Sequence, residues 1–207
     1  MSQEGKSIAI DPDKMNAFLE KVIADFGASL SSMFGYIGQR LGLYEALADS
    51  DDLTTAELAN TTGTDERCIR EWLINQAAGD YVHYDPLSGK YSLLPEQSVA
   101  LAEENSPFFV GGGFYVVKAL LNAEPRIRDY FQKGGAMLWG EHDPDLFIGT
   151  EKFFRPGYAA HLVNDWIPAI NGMTERLSKG AGGRRLRLWS RDLNYGRSVS
   201  EFPFPRV

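Results

Sequence analysis

The sequence predicts a mainly α fold built on a winged helix-turn-helix, with one small β-hairpin and helical regions on either side. Three observations carry that reading. Leu53-Thr54-Thr55-Ala56-Glu57-Leu58 is a capping box with a hydrophobic staple: Thr54 can accept from the Glu57 amide, Glu57 can reach back, and Leu53 can pack on Leu58. After the breaker cluster Asn60-Thr61-Thr62-Gly63, Thr64-Asp65-Glu66 opens a second helix with carboxylates in its first turn, where the helix dipole favours them. Ile69, Trp72, Leu73 and Gln76-Ala77 share one face of that helix, and Gly79 stops it. The alternating runs Tyr81-Val82-His83-Tyr84 and Lys90-Tyr91-Ser92-Leu93 then flank the turn Asp85-Pro86-Leu87-Ser88-Gly89.

The motif invites a DNA-binding transcriptional regulator as the alternative function, and its charge argues against one. From Asp51 to Asp80, the acids Asp51, Asp52, Glu57, Asp65, Glu66, Glu71 and Asp80 stand against Arg67 and Arg70 alone. Phosphate contacts need an excess of Lys and Arg on the docking face. A fold of this kind serves equally as a packing or dimerisation module. The whole chain of 207 residues has a net charge of −7, which points away from nucleic acid and from anionic membranes as partners. Its 43% hydrophobic content suffices for a packed core. One cysteine, Cys68, allows no internal disulfide, and neither a leader nor an apolar run of membrane-spanning length is visible, so a cytoplasmic protein is expected. Cys68 lies inside the second helix of the motif and reads as a buried, inert thiol.

Upstream, Met15, Phe18, Leu19, Val22, Ile23 and Phe26 form a helical stripe, and after Gly27 a second stripe of Leu30, Met33, Phe34, Ile37 and Leu41 continues it. Gly35 and Gly38 would let another backbone approach, in a helix pair or a dimer seam, although glycine also simply weakens helices. Gly42 to Ala48 adds a short helix. Downstream, Pro95-Glu96 starts a helix through Leu101-Ala102, and Asn105-Ser106-Pro107 breaks it. Phe108 to Leu121 is apolar almost all round and predicts a helix buried on most sides. Its Gly111-Gly112-Gly113 lacks the leading strand and the following Lys-Ser or Lys-Thr of a phosphate loop, and close helix packing accounts for it as well. Another helix runs from Glu124-Pro125 to Tyr130-Phe131.

Met137 to His161 holds the chemistry. Glu141-His142-Asp143-Pro144-Asp145 offers one histidine among acids; without converging ligand spacings it reads as a solvated turn rather than a metal site. Phe153-Phe154-Arg155-Pro156-Gly157-Tyr158-Ala159-Ala160-His161 clusters aromatic and basic groups, which suits either a core or the wall of a small-molecule pocket. Trp139, His142, Phe154, Arg155, Tyr158 and His161 are the candidate substrate-binding residues. His161 or His142 is the candidate for acid-base work, and no residue is assigned a catalytic role beyond that. From Asn164-Asp165-Trp166 the stripe Ile170, Met173 and Leu177 predicts one more helix, to Lys179.

Leu53 to Ala59, Arg70-Glu71-Trp72-Leu73, Tyr91 to Glu96 and Phe153 to Tyr158 resemble phrases of the bacterial class I S-adenosylmethionine-dependent methyltransferases that carry an N-terminal winged-helix dimerisation domain. The resemblance covers about residues 12 to 181. It implies N-terminal dimerisation helices over 1–48, the winged helix over 49–95 and a helical connector and acceptor lid over 96–181. It also implies a homodimer, a small-molecule acceptor and S-adenosylmethionine as cofactor of the intact family. That family continues into a Rossmann-like donor domain with a glycine-rich turn. The turn is missing here, so no cofactor is expected for this chain, which reads as truncated and inactive as written.

Residues 182–207 read as an aberrant, disordered tail. Six arginines there oppose only Asp192 and Glu201; a basic partner-binding tail is the other reading. Permitted codons for Gly183 onward, read one base later, spell Val-Ala-Asp-Cys-Gly-Cys-Gly-His-Gly-Thr, a donor-binding turn. Sequencing the coding DNA around the Gly182 codon is expected to reveal a frameshift. A coding sequence with no glycine-rich turn in either neighbouring frame defeats that account.

Overall fold

The structure, a computed structural model, describes residues 10–178; the expectation of a disordered tail falls outside them. Helix α1 spans Pro12–Leu41, capped by the Asp11 carboxylate, which accepts from the Asp13 and Lys14 amides. It runs straight through Gly27, so the two stripes lie on one helix. After Gly42 come α2 (Leu43–Ala48), α3 (Thr55–Thr62) and α4 (Glu66–Ala78). The expected capping box is present: Thr54 Oγ1 accepts from the Glu57 amide and Glu57 Oε2 from the Thr54 amide. The breaker cluster ends α3 as expected, but only at its last residue: Asn60-Thr61-Thr62 stay helical, and Gly63, whose φ of +66° is the left-handed conformation that closes a helix, stops it.

Strands β1 (His83–Asp85) and β2 (Lys90–Ser92) pair antiparallel with Tyr84 opposite Tyr91, and Leu53 adds a bridge to Tyr91 on the other edge. The Asp85 carboxylate tightens the hairpin turn by accepting from the Leu87 and Ser88 amides. The core of this unit is Leu43, Tyr44, Leu47, Leu58, Ile69, Trp72, Leu73 and Val82. Its polar atoms are satisfied internally. Tyr44 donates to Gln76 Oε1 at 2.5 Å, and Trp72 Nε1 donates to the Phe34 carbonyl at 2.8 Å. Cys68 is exposed on α4, contrary to the expectation of a buried thiol. On α4 it is Ile69, Trp72, Leu73 and Gln76 that take the core face.

Helices α5 (Pro95–Leu101), α6 (Gly112–Asn122), α7 (Glu124–Lys133), α8 (Pro144–His161) and α9 (Met173–Ser178) complete the described chain. Three expectations are corrected here. The helix expected from Phe108 begins only at Gly112, and it buries one face, with Val117, Leu120 and Leu121 exposed. The acidic stretch is not a solvated turn. Asp143 caps α8, and Asp145 is buried, accepting from Lys118 at 2.7 Å and from the Tyr36 hydroxyl at 2.7 Å. Finally, α8 accommodates Pro156 and passes into a wide π-helical turn, Leu162–Trp166, so residues 164–178 do not form one helix.

The glycines of α1 are used by side chains of the same chain. A Cβ at Gly38 would lie 2.6 Å from the Tyr44 ring and 2.7 Å from that of Trp72, and one at Gly35 would lie 2.6 Å from Phe114. Nothing lies within 4 Å of a Cβ at Gly27. Gly38→Ala is therefore expected to destabilise the fold by about 1–3 kcal/mol through overpacking. Gly27→Ala is expected to stabilise α1, by up to about 1 kcal/mol. Urea unfolding of the two variants distinguishes them, and equal effects would refute the assignment.

Candidate functional site

A cleft of about 420 Å³ opens between the segment 107–110 and the last turns of α8, lined by Pro107, Phe108, Phe109, Val110, Phe153, Phe154, Gly157, Tyr158 and Trp166. Its position follows from one close contact. A Cβ on Gly112 would sit 2.5 Å from the Gly149 carbonyl oxygen, and one on Gly149 would sit 2.6 Å from that of Gly112. The backbones of α6 and α8 therefore touch, which explains Gly112 as a packing residue rather than part of a phosphate loop. Gly111 is held equally tightly, against Gln39, whose amide donates to the Leu101 carbonyl.

Aromatic rings dominate the cleft. Phe153 and Phe154 meet edge to face at 5.1 Å, and Tyr158 and Trp166 at 5.5 Å. His161 stacks on Trp166 at 6.0 Å and 25°, and its Nδ1 lies 2.6 Å from Asp165 Oδ2. A lining of this kind can stack against a flat, largely apolar molecule, with the Tyr158 and His161 region offering polar edges.

Of the six residues expected to bind substrate, the structure brings Phe154, Tyr158 and, through Trp166, His161 to this cleft. Arg155 turns to Glu104, 3.1 Å away, beside Lys152, which pairs with the same carboxylate. Trp139 and His142 stand elsewhere, packed with each other at 5.6 Å, and Trp139 with Phe147 at 5.3 Å. Trp139 and His142 precede α8, which begins at Pro144, and the fourteen residues from there to Tyr158 rise about 21 Å, so the two groups serve different places. Sequence reasoning missed Trp166 and the 107–110 wall. Trp166 was detectable, since 154, 158, 162 and 166 repeat at helical spacing. Among the described residues no group of three or more His, Cys, Asp and Glu could hold a metal ion.

The fold around Leu53 to Ser92 is that of a winged helix-turn-helix. Residues 28–103 match the family described as the Rv2258c-like winged HTH domain, which thus takes in the second part of α1, α2 and α5. Among solved structures, the chain is similar to PigF with SAH (TM-score 0.54, 16% identity, covering 73% of this chain and 48% of that one). It is also similar to CalO1, a methyltransferase in calicheamicin biosynthesis in its SAH-bound form (TM-score 0.49, 19% identity, 74% and 47% covered). The chain spans about half the length of each. No curated protein matches it.

Between α2 and α8 lies an unusual carboxylate. Glu45 Oε2 is buried without a hydrogen-bond partner, and burial raises the Glu45 pKa above the ordinary carboxylate value, an effect that nearby Lys152 opposes. Burial likewise lowers the pKa of Lys152. A carboxyl whose folded pKa is raised favours folding most when protonated; that contribution is complete below the unfolded pKa and is lost as pH rises through the folded one. Glu45→Gln is expected to be more stable than the wild type at pH 7, with the difference shrinking as pH falls through the carboxylate range. Thermal unfolding between pH 4 and 7 checks this, and a difference that grows on acidification would contradict it.

Proposed function

We propose that this chain is the N-terminal, dimerising and acceptor-covering portion of a cytoplasmic small-molecule methyltransferase that uses S-adenosylmethionine. The observation that carries the reading is the aromatic cleft at the end of α8, joined to a winged domain in a fold shared with PigF, which was solved with SAH. SAH is what S-adenosylmethionine becomes when its methyl group has left the sulfur. Transfer proceeds by in-line displacement at that methyl, so holding the acceptor in place and excluding water carry much of the catalysis. In this reading residues 1–48 dimerise, 49–95 form the winged domain, and 96–181 roof the acceptor. Phe154, Tyr158 and Trp166 clamp the acceptor, His161 is the group placed for proton transfer, and Trp139, His142 and Arg155 support the lid from outside the cleft.

The alternative, a DNA-binding regulator, finds little in the exposed side of α4. Its outward charges include Glu66 and Glu71, and Arg70 is engaged by Glu66 at 2.6 Å. Phosphate binding would have to break that pair and overcome the neighbouring acids.

The methyl donor itself calls for a glycine-rich strand-to-helix turn, and these 207 residues hold none. The chain alone is expected to give no binding heat with S-adenosylmethionine in titration calorimetry and no methyl transfer. A protein extended in the frame that encodes the glycine-rich turn is expected to bind it. Micromolar donor binding by the 207-residue chain would overturn the proposal.

A further inference from the structure

The aromatic cleft has charged neighbours but no charged wall. Of the described residues that line it, none is Asp, Glu, Lys, Arg or His, and the polar side-chain atoms of its walls are the Tyr158 hydroxyl and the Trp166 indole N–H. Two cations nevertheless stand on α8 among the residues of one wall, and both are turned to carboxylates. Lys152 pairs with Glu104 and rests over the Tyr115 ring, 5.8 Å from its centre. Arg155 places Nη2 3.1 Å from Glu104 Oε2, Nη1 3.3 Å from Asn105 Oδ1 and Nε 3.0 Å from Glu151 Oε1.

Glu104 is the carboxylate that the two cations share. It lies on the segment between α5 and α6, three residues before Pro107, where the other wall begins. Three residues of extended chain span at most about 11 Å. From α2, Glu45 also faces Lys152. Lys152 and Arg155 thus meet three carboxylates, Glu45, Glu104 and Glu151, and no positive charge is left over. A second pair at the cleft, His161 and Asp165 beside Trp166, is likewise closed on itself, 2.6 Å apart.

We propose that Glu104 sets the charge selectivity of the cleft: by holding Lys152 and Arg155 it leaves the walls without a positive partner, so the cleft takes an uncharged planar molecule and rejects a carboxylated one of the same shape. This rests on the reading of the cleft as an acceptor site and specifies the class of acceptor. A carboxylate entering the cleft exchanges water for aromatic faces, which are themselves electronegative, and finds no cation to answer its charge. An uncharged ring meets no such cost and stacks. At the effective dielectric of a protein surface, a unit charge about 10 Å away changes an anion's affinity severalfold, so Glu104 acts on the cleft without touching its occupant.

Titration calorimetry of the full 207-residue chain at pH 7, with 2-naphthol and 2-naphthoate as probes, tests the assignment. The wild type is expected to bind naphthol about tenfold more tightly than naphthoate. Glu104→Gln is expected to raise naphthoate affinity about threefold or more while naphthol stays within about twofold, and adding Arg155→Gln is expected to remove that gain. A merely structural carboxylate would move both probes together, because the wall itself would shift. Glu104→Ala takes the place of Glu104→Gln should the latter lose helical content by circular dichroism. Phe154→Ala, which removes a ring of the cleft, is expected to weaken naphthol and so reports where the probe sits. Equal wild-type affinities, or naphthoate binding unchanged by the Glu104 variants, overturn the proposal and leave the acceptor reading standing when Phe154→Ala weakens naphthol. Naphthol that does not bind, or that binds undiminished by Phe154→Ala, overturns both.

Discussion

The contact between Gly112 and Gly149 governs the half of the molecule that holds the cleft. With no side chain at either position, α6 and α8 approach until each residue's carbonyl fills the space a methyl would need. At that distance neighbouring atoms are in contact along both helices, and dispersion attraction accumulates. The same crossing brings Lys118 of α6 to Asp145 of α8, and Phe153 beside Gly113. A larger residue at either glycine would push α8 outward and separate the aromatic rings from the 107–110 wall. The cleft is thus a product of backbone packing before it is a product of its own side chains.

A second joint connects this half to the winged domain. Tyr36 near the end of α1 donates to Asp145, and burial together with that hydrogen bond raises its pKa. Lys118 completes the group, its charge favoured by the hydrogen bond to Asp145 despite partial burial. Burial would raise the pKa of Asp143, but hydrogen bonds from Asn122, the Asp145 amide and Lys118 hold it below the usual range. One cation thus answers two carboxylates and orients the N-terminus of α8. Pairs of this kind select a geometry more than they add stability.

Local grammar was legible in the sequence; close approach was not. The Thr54 and Asp65 caps, the Trp72 face and the Asp85 turn involve residues within eight positions of each other, where pattern and physics coincide. Gly112 could be read only as fitting close packing, because its partner Gly149 lies thirty-seven residues away and carries no pattern of its own. Asp145 looked solvated because Lys118 and Tyr36 come to it from other helices. The apolar run after Phe108 looked buried on most sides because hydrophobicity alone does not say whether the covering surface belongs to the same chain. Phe154 and Tyr158 were named with Arg155 and His161 because all four cluster in one short run, and both reach the cleft because they share one helix face; Trp139 and His142 were grouped with them only by nearness in sequence.

The projecting part of α1 ties order to company. A lone helix of about twenty residues holds little helicity in water, since nucleation is unfavourable and most helical stability comes from packing. From Asp11 to Leu30 this helix has almost no packing within its own chain, and its support there is the Asp11 cap and the surface pairs Lys14–Asp11 and Lys21–Asp25. Such pairs contribute about 0–1 kcal/mol each. If the segment gains its structure from a second chain, then folding of this arm and association are one equilibrium, and the apparent stability of the protein becomes a function of its own concentration.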